Sequence, residues 1–241
     1  MAQVVKLNTT LVFWPAVGRT QKDIRANTIL QAVVGTGTSN LKLPTQAQYP
    51  PLPGFLADIT AAEVHGRSKQ VDFSMVGGPA SQPTFLIDGA QFQEGIINQT
   101  MMKDTAEEWL LTNSSVGAIS HPFHIHINPF QVIEVYDPAT MPTPAGQQPD
   151  PNRDALKLPQ PWVWWDVISI PAAAQPKDTN GKPIVDANGK AVIVNGHIRF
   201  RSRFTDFIGK YVLHCHILGH EDRGMMQMVQ VVDNHTIMKH H

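Results

Sequence analysis

The chain carries its only cysteine in the run HCHILGHEDRGMM, residues 214–226. Side chains alternate between the two faces of an extended strand, so the histidines on either side of the cysteine point away from it. His220 follows across a short turn, and Met225 follows five residues later. A thiolate, two imidazoles and a weak thioether are the ligands of a trigonal blue-copper site. The run therefore predicts a copper centre that still needs one imidazole.

A second run, HPFHIH at residues 121–126, can supply that imidazole. His124 and His126 are two residues apart and share one face of a strand. His121 precedes a proline, which favours an extended backbone, and we expect it to turn towards Cys215. The other two histidines would then join the pair that flanks the cysteine. The sequence predicts two copper centres on opposite faces of one pair of strands.

Together, the two runs resemble the third and fourth copper signatures of the multicopper oxidases, the laccase-like enzymes. A weaker resemblance extends over residues 71–234 and includes PTFLIDG, WWDVISIP and FTDFIGKYVLHCHI. The similarity is to the C-terminal cupredoxin domain of that family. It implies copper as the cofactor, a small-molecule electron donor such as a phenol or an aromatic amine, and dioxygen as the electron acceptor.

The resemblance also implies a role for each ligand in the two motifs. The type 1 centre, where electrons enter, would take four residues: His121, Cys215, His220 and Met225. The trinuclear cluster, where oxygen is reduced, would take four imidazoles from this domain: His124 as the type 2 ligand, and His126, His214 and His216 as type 3 ligands. Electrons would pass from the cysteine through its two flanking histidines.

Two assignments have alternatives. By resemblance, Glu221 is an acid that relays protons to the cluster, and it would act in catalysis with Cys215 and the flanking histidines. It could instead be a solvated carboxylate or a hydrogen-bond acceptor beside a ligand. Met226, one residue out of register, is an alternative axial ligand to Met225.

The number of histidines limits what this chain can build. The trinuclear cluster of the family takes eight histidines from four His-x-His pairs, and this sequence contains two such pairs. We interpret the remaining histidines as isolated polar residues and a tag remnant: His65, His197, His235, and the pair at 240–241. The other four ligands would come from an N-terminal cupredoxin domain or a separate chain. The alternatives are an electron-transfer domain without oxygen reduction, or a copper-binding fragment without turnover.

The elements that must position these ligands are predicted to be strands. Short runs of β-branched and aromatic residues are separated by turns that use many of the 19 prolines and 17 glycines. In HIRFRSRF, residues 197–204, three apolar side chains alternate with three arginines. No long helical period occurs. The pattern predicts an all-β protein, and the resemblance narrows this to a cupredoxin-type Greek-key β-sandwich or barrel.

Four parts are expected along the chain. Residues 1–40 hold too few strands for an independent core, so we interpret them as the C-terminal strands of a preceding cupredoxin domain. Residues 41–70 are predicted to be a linker, because the prolines of YPPLPG cannot donate ladder hydrogen bonds. Residues 71–234 form the predicted copper-binding domain, and residues 235–241 the tail.

Composition excludes several other classes of function. The net charge is −1, so no nucleic-acid partner is expected, and no apolar run is long enough to span a membrane. With one cysteine, no intrachain disulfide can form. The first ten residues lack the sections of a signal peptide. The location is therefore left open, although the resemblance implies a periplasmic or secreted protein.

Overall fold

The computed structural model describes residues 3–7, 30–34, 50, 53–77, 82–115 and 119–233. The chain divides into two compact units, Met1–Pro51 and Leu52–His241. In the first unit, β1 (Gln3–Leu7) and β2 (Leu30–Val34) pair as an antiparallel ribbon, with Gln3 opposite Val34. That residues 1–40 are the end of a preceding domain stays a prediction, and the predicted tail at 235–241 lies outside the described residues.

Strands are the main regular elements of the second unit. Twelve strands follow one another in its described part: β3 (Ser68–Val76), β4 (Thr84–Ile87), β5 (Ile97–Met102), β6 (Thr105–Asn113), β7 (His121–Ile125), β8 (Phe130–Tyr136), β9 (Leu156–Lys157), β10 (Trp164–Trp165), β11 (Val167–Ile170), β12 (Gly196–Phe204), β13 (Gly209–Cys215) and β14 (Met226–Val232). Three short α-helices accompany them: α1 (Ala61–Val64), α2 (Pro151–Asp154) and α3 (Leu218–Glu221). None of the described helices is long and apolar enough to cross a membrane.

The strands form two sheets. The larger sheet has the order β10-β8-β12-β6-β3-β4, with β9 also paired to β8, and the smaller sheet has the order β11-β7-β13-β14-β5. Two pairs, β3 with β6 and β14 with β5, are parallel, and the other pairs are antiparallel. The prediction of an all-β fold is confirmed.

The core between the sheets is aromatic, and it fixes the strand that carries the HPFHIH motif. The alternation predicted for β12 is observed, since Ile198, Phe200 and Phe204 are at most 1% exposed. The ring of Phe200 lies 5.4 Å from that of Phe123, which belongs to β7 in the opposite sheet. Burial of a phenylalanine contributes about 1.5–3 kcal/mol. Phe123 therefore anchors β7 between His121 and His124.

The structure differs from the predicted linker in its second half. Thr60 and Glu63 form a capping box that starts α1, and Ile59 and Val64 are buried against Ala106 of β6. Two charged groups, Arg203 and Glu63, add an ion pair of 2.9 Å. These residues are not an extended linker, because the four-residue helix, its cap and the two buried apolar side chains hold them against the larger sheet.

Candidate metal centre

The two motifs lie side by side on neighbouring strands. In the antiparallel pair β7–β13, His214 is opposite His124 and Cys215 is opposite Phe123. Because successive side chains alternate, Cys215 points to the core with Phe123, and the two histidines point to the outer face of the smaller sheet. The strand pair thus separates the predicted ligands into two groups, one on each face.

The inner group contains a thiol and two imidazoles. The Sγ of Cys215 lies 3.6 Å from Nδ1 of His121 and 3.4 Å from Nδ1 of His220. The three candidate ligand atoms are all within 4.8 Å of one another, and Cys215 and His121 are 0% exposed. One soft sulfur with two imidazoles is a donor set that suits copper, so the residues present fit the ion that the motifs predict.

A short turn brings the distant members of this group to the sulfur. The helix α3 starts directly after the HCH run, and the Met225 amide donates to the carbonyl of His220 at 3.0 Å. The carbonyl of Met225 accepts from the amide of Cys215 at 3.1 Å. Met225 is completely buried, whereas Met226 is partly exposed. This placement favours Met225 over Met226 as the axial ligand, which stays a prediction.

Ser115 anchors the imidazole of His121. Its Oγ lies 2.9 Å from Nε2 of His121, so Nδ1 of that ring is the nitrogen directed to the sulfur. Ser115 is itself 0% exposed, and its amide donates to the side chain of Asn113. Sequence reasoning missed Ser115, since a serine in a loop carries no signal of such a contact.

Burial sets the protonation of the inner group. Burial lowers the pKa of His121 to about 3, with a smaller effect from His220. Burial, and then the charge of Arg223, lowers the pKa of His220 to about 4. Burial raises the pKa of the Cys215 thiol to about 12. In the metal-free protein at neutral pH, both imidazoles therefore keep a free lone pair, and the sulfur becomes a thiolate only when a cation binds.

The outer group contains four imidazoles. The ring of His124 lies 5.0 Å from His126, 5.3 Å from His214 and 5.5 Å from His216, centroid to centroid. The Nε2 atoms of His126 and His214 are 3.3 Å apart. Nδ1 of His124 bonds the carbonyl of Asp166 at 2.7 Å, which leaves its Nε2 as the free nitrogen. The structure thus brings together all four predicted cluster residues.

The outer group differs from the inner group in its exposure. His126 and His216 are exposed, and His124 is partly exposed, whereas His214 is only 4% exposed. Burial is the main cause that lowers the pKa of His126 and of His214. Three of these four imidazoles are therefore accessible to solvent.

Glu221 lies next to the outer group. Its Oε2 is 3.2 Å from Nδ1 of His214, and the same nitrogen is 3.2 Å from the carbonyl of Cys215. The carboxylate is partly exposed. This position agrees with both alternatives for Glu221, because a proton relay and a hydrogen-bond acceptor would each contact His214.

The histidines predicted to be isolated lie outside both groups. His65 is exposed at the C-terminal end of α1. His197 is not a free polar residue, because it is buried in the larger sheet with Nε2 2.8 Å from a carboxylate oxygen of Glu134. His235 and the terminal pair fall outside the described residues.

Comparisons with known proteins agree with this geometry. A family model described as multicopper oxidase matches residues 65–235. The chain belongs to the multicopper oxidase family. This confirms the predicted family and, with it, copper as the cofactor.

Curated relatives are much longer than this chain. A multicopper oxidase of Staphylococcus haemolyticus (strain JCSC1435) is 29% identical over 149 residues, which cover 61% of this chain and 24% of the relative. A laccase of Bacillus subtilis (strain 168) is 24% identical over 186 residues, which cover 76% and 31%. The chain therefore spans about a quarter to a third of the relatives that it matches.

A solved structure shows the same fold. The multicopper oxidase of Campylobacter jejuni, described as a metallo-oxidase, matches with a TM-score of 0.50 and 21% sequence identity. The match covers 86% of this chain and 36% of that one. With the two sheets described above, it confirms the cupredoxin-type fold.

Proposed function

We propose that the chain is the C-terminal part of a laccase-like multicopper oxidase. Such an enzyme takes single electrons from phenolic or similar donors at a type 1 copper and reduces dioxygen to water at a trinuclear cluster. The observation that carries the proposal is the position of Cys215. Its sulfur faces His121 and His220, while the histidines beside it in sequence join two further imidazoles on the other face of the sheet.

In this proposal the inner group is the electron-entry site. His121, Cys215 and His220, with Met225, would hold the type 1 copper, which supplies one-electron redox chemistry when bound. The protein contributes neutral imidazoles with free lone pairs and a site from which burial excludes water. Because His121 and Cys215 are fully buried, a donor would approach the partly exposed His220.

The outer group is proposed as half of the trinuclear cluster. His124 would be the type 2 ligand, and His126, His214 and His216 the type 3 ligands. In the HCH run, covalent bonds alone connect the inner sulfur to the imidazoles of His214 and His216, which provides a short path for electrons. Glu221, whose Oε2 lies 3.2 Å from Nδ1 of His214, would relay protons to this half of the cluster.

The remaining four histidines are proposed to come from an N-terminal cupredoxin domain or chain. Two observations support this. Three of the four outer imidazoles are exposed or partly exposed to solvent, and the relatives are three to four times as long as the matched segment. Without that partner, we expect the copper-loaded chain to exchange single electrons at the inner group but not to reduce oxygen at the outer group.

Copper stoichiometry and colour test the proposal. The whole chain is loaded with copper, and its copper content, visible spectrum and oxygen consumption with a phenolic donor are measured, alone and with an N-terminal cupredoxin chain. We expect intense thiolate-to-copper absorption in both samples. Oxygen uptake, with about four coppers per unit, is expected only in the second sample.

Other outcomes would identify the alternatives. A blue protein that consumes no oxygen even with the partner would be an electron-transfer domain. A colourless copper-loaded protein would be a copper-binding fragment, and it would refute the assignment of Cys215 as a ligand. Cys215→Ser is the control, because it removes the sulfur and leaves the imidazoles.

A further inference from the structure

A phenylalanine from the opposite sheet stacks on one of the inner imidazoles. The ring centroids of Phe85 and His220 are 3.9 Å apart, and the ring planes differ by 20°. Phe85 is 2% exposed and belongs to β4, at the edge of the larger sheet. His220 belongs to α3, which follows β13 of the smaller sheet. The stack therefore joins the two sheets at the ligand group.

Arg223 lies against the same phenylalanine ring. Its Cζ is 4.4 Å from the ring centroid of Phe85. Its Nε donates to the carbonyl of Gly219 at 2.8 Å, and its Nη1 donates to the carbonyl of Pro83 at 3.4 Å. One carbonyl belongs to α3 and the other to the residues just before β4. The guanidinium thus connects the two segments whose rings are stacked.

The backbone of Arg223 is held as well. Its carbonyl accepts from the side-chain amide of Gln91 at 2.6 Å, and its amide donates to the carbonyl of His220 at 3.2 Å. The next residue, Gly224, approaches the same loop closely, because a Cβ there would lie 3.1 Å from Cβ of Gln91. The backbone of Arg223 is therefore held in place, although the side chain is at the surface.

The second inner imidazole is supported differently. The ring of Phe73 is 6.1 Å from His121 and tilted by 33°, so the two rings are not stacked. His121 is instead oriented by its 2.9 Å hydrogen bond to Ser115. The contacts that orient the His220 ring are with Phe85, with Cys215 and, edge to face, with His121. The stack on Phe85 thus orients the ring of His220, as the hydrogen bond to Ser115 orients the ring of His121.

We propose that Phe85 and Arg223 are positioning residues for His220, which set its ring plane in front of Cys215 and place a positive charge beside the ligand group. This inference rests on the proposed type 1 role of that group. A stacked neighbour restricts rotation of the imidazole and covers its face from water. A nearby cation favours the less positive, reduced state of a bound copper ion, which makes the site a stronger oxidant of its donor.

Four variants of the whole chain separate the two effects. Phe85→Leu removes the stack and keeps an apolar side chain. Phe73→Leu is the matched control, because Phe73 is equally buried in the neighbouring strand and lies near the other imidazole without stacking on it. Arg223→Met removes the charge, and Arg223→Lys keeps it without the planar guanidinium.

The stack is tested first in the metal-free chain by NMR. The ring current of Phe85 should shift the ring protons of His220 upfield, and Phe85→Leu should abolish this shift while Phe73→Leu keeps it. In the copper-loaded chain, bleaching of the thiolate band by a chelator should be at least threefold faster in Phe85→Leu than in Phe73→Leu. Equal shifts and equal rates in the two variants would overturn the positioning role of Phe85.

The charge is tested by redox titration of the thiolate band. Arg223→Met should shift the equilibrium with a redox indicator about threefold towards the oxidised form, which is about 28 mV for a one-electron couple. Arg223→Lys should retain most of the unmodified potential. Equal potentials in all three proteins would overturn the role of the charge. If the copper-loaded, unmodified chain shows no thiolate band, the proposed function is refuted. The NMR experiment on the metal-free chain tests the contact between Phe85 and His220 independently of that function.

Discussion

The buried imidazole of His121 should make the metal-free protein sensitive to mild acid. Its pKa is lowered from 6.5 to about 3, mainly by burial and then by His220. The pKa in the folded state is below that in the unfolded state, so the unfolded chain takes up the proton first. Folding with a neutral His121 therefore has no proton-linked cost above pH 6.5, and the free energy of unfolding decreases as the pH falls from 6.5 towards 3.

The expected loss can be worked out from this shift. Well inside the window, each pH unit removes about 1.4 kcal/mol from the free energy of unfolding. Between pH 7 and pH 5 the loss from His121 alone is about 2 kcal/mol. Domains are stable by only about 5–15 kcal/mol in total, so the loss is measurable. His220, whose pKa is lowered to about 4, acts in the same direction.

Urea unfolding of the metal-free chain at pH 7, 6 and 5 tests this prediction. His121→Gln replaces the imidazole by an amide that does not titrate and can still bond Ser115. The variant should be less stable at pH 7, yet it should lose about 2 kcal/mol less than the unmodified chain between pH 7 and pH 5. His65→Gln, at an exposed histidine, is the matched control. Equal pH dependence in the unmodified chain and His121→Gln would refute the reasoning.

Three further predictions concern the sulfur and the packing of β12. Copper binding to the inner group at pH 7 should release about one proton, because the pKa of the Cys215 thiol is raised to about 12 and the imidazoles are already neutral. Calorimetry in buffers of different ionisation enthalpy measures the number of protons released. A number near zero would contradict the prediction. Cys215→Ser should abolish the intense visible absorption but leave metal binding by the outer imidazoles, as checked by metal analysis. Gly196→Ala should destabilise the protein by more than about 3 kcal/mol, because its Cβ would lie 2.2 Å from the carbonyl oxygen of Pro171. Thermal unfolding measures this against Gly54→Ala, which meets nothing within 4 Å; equal melting temperatures would show that the backbone yields.

The division of the ligands between two faces could be predicted from the sequence. Alternation along a strand is a local property, so the HCH and HIH runs alone indicate that the cysteine and its neighbours point in opposite directions. The structure places His214 opposite His124 and the sulfur on the inner side, as expected. The alternating pattern of β12 predicted its buried face for the same reason.

The packing of residues 57–64 on the larger sheet could not be predicted from local alternation. The prolines of YPPLPG predict a linker, and the pattern gives no sign that Ile59 and Val64 find a buried place beside Ala106. That place exists only once β6 and β12 are paired in the larger sheet. An ion pair between Arg203 and Glu63, 140 residues apart, then completes it.

The sequence by itself determined the types of ligand, their order and the face to which each one points. Only the tertiary structure decided what surrounds them: Ser115 on His121, Phe85 on His220, and Glu221 beside His214. Phe85 lies in β4 of the larger sheet, whereas His220 lies in α3, which follows β13 of the smaller sheet, so their contact depends on how the two sheets pack. The local sequence pattern does not predict how the sheets pack, because the packing depends on side-chain volumes across the whole core.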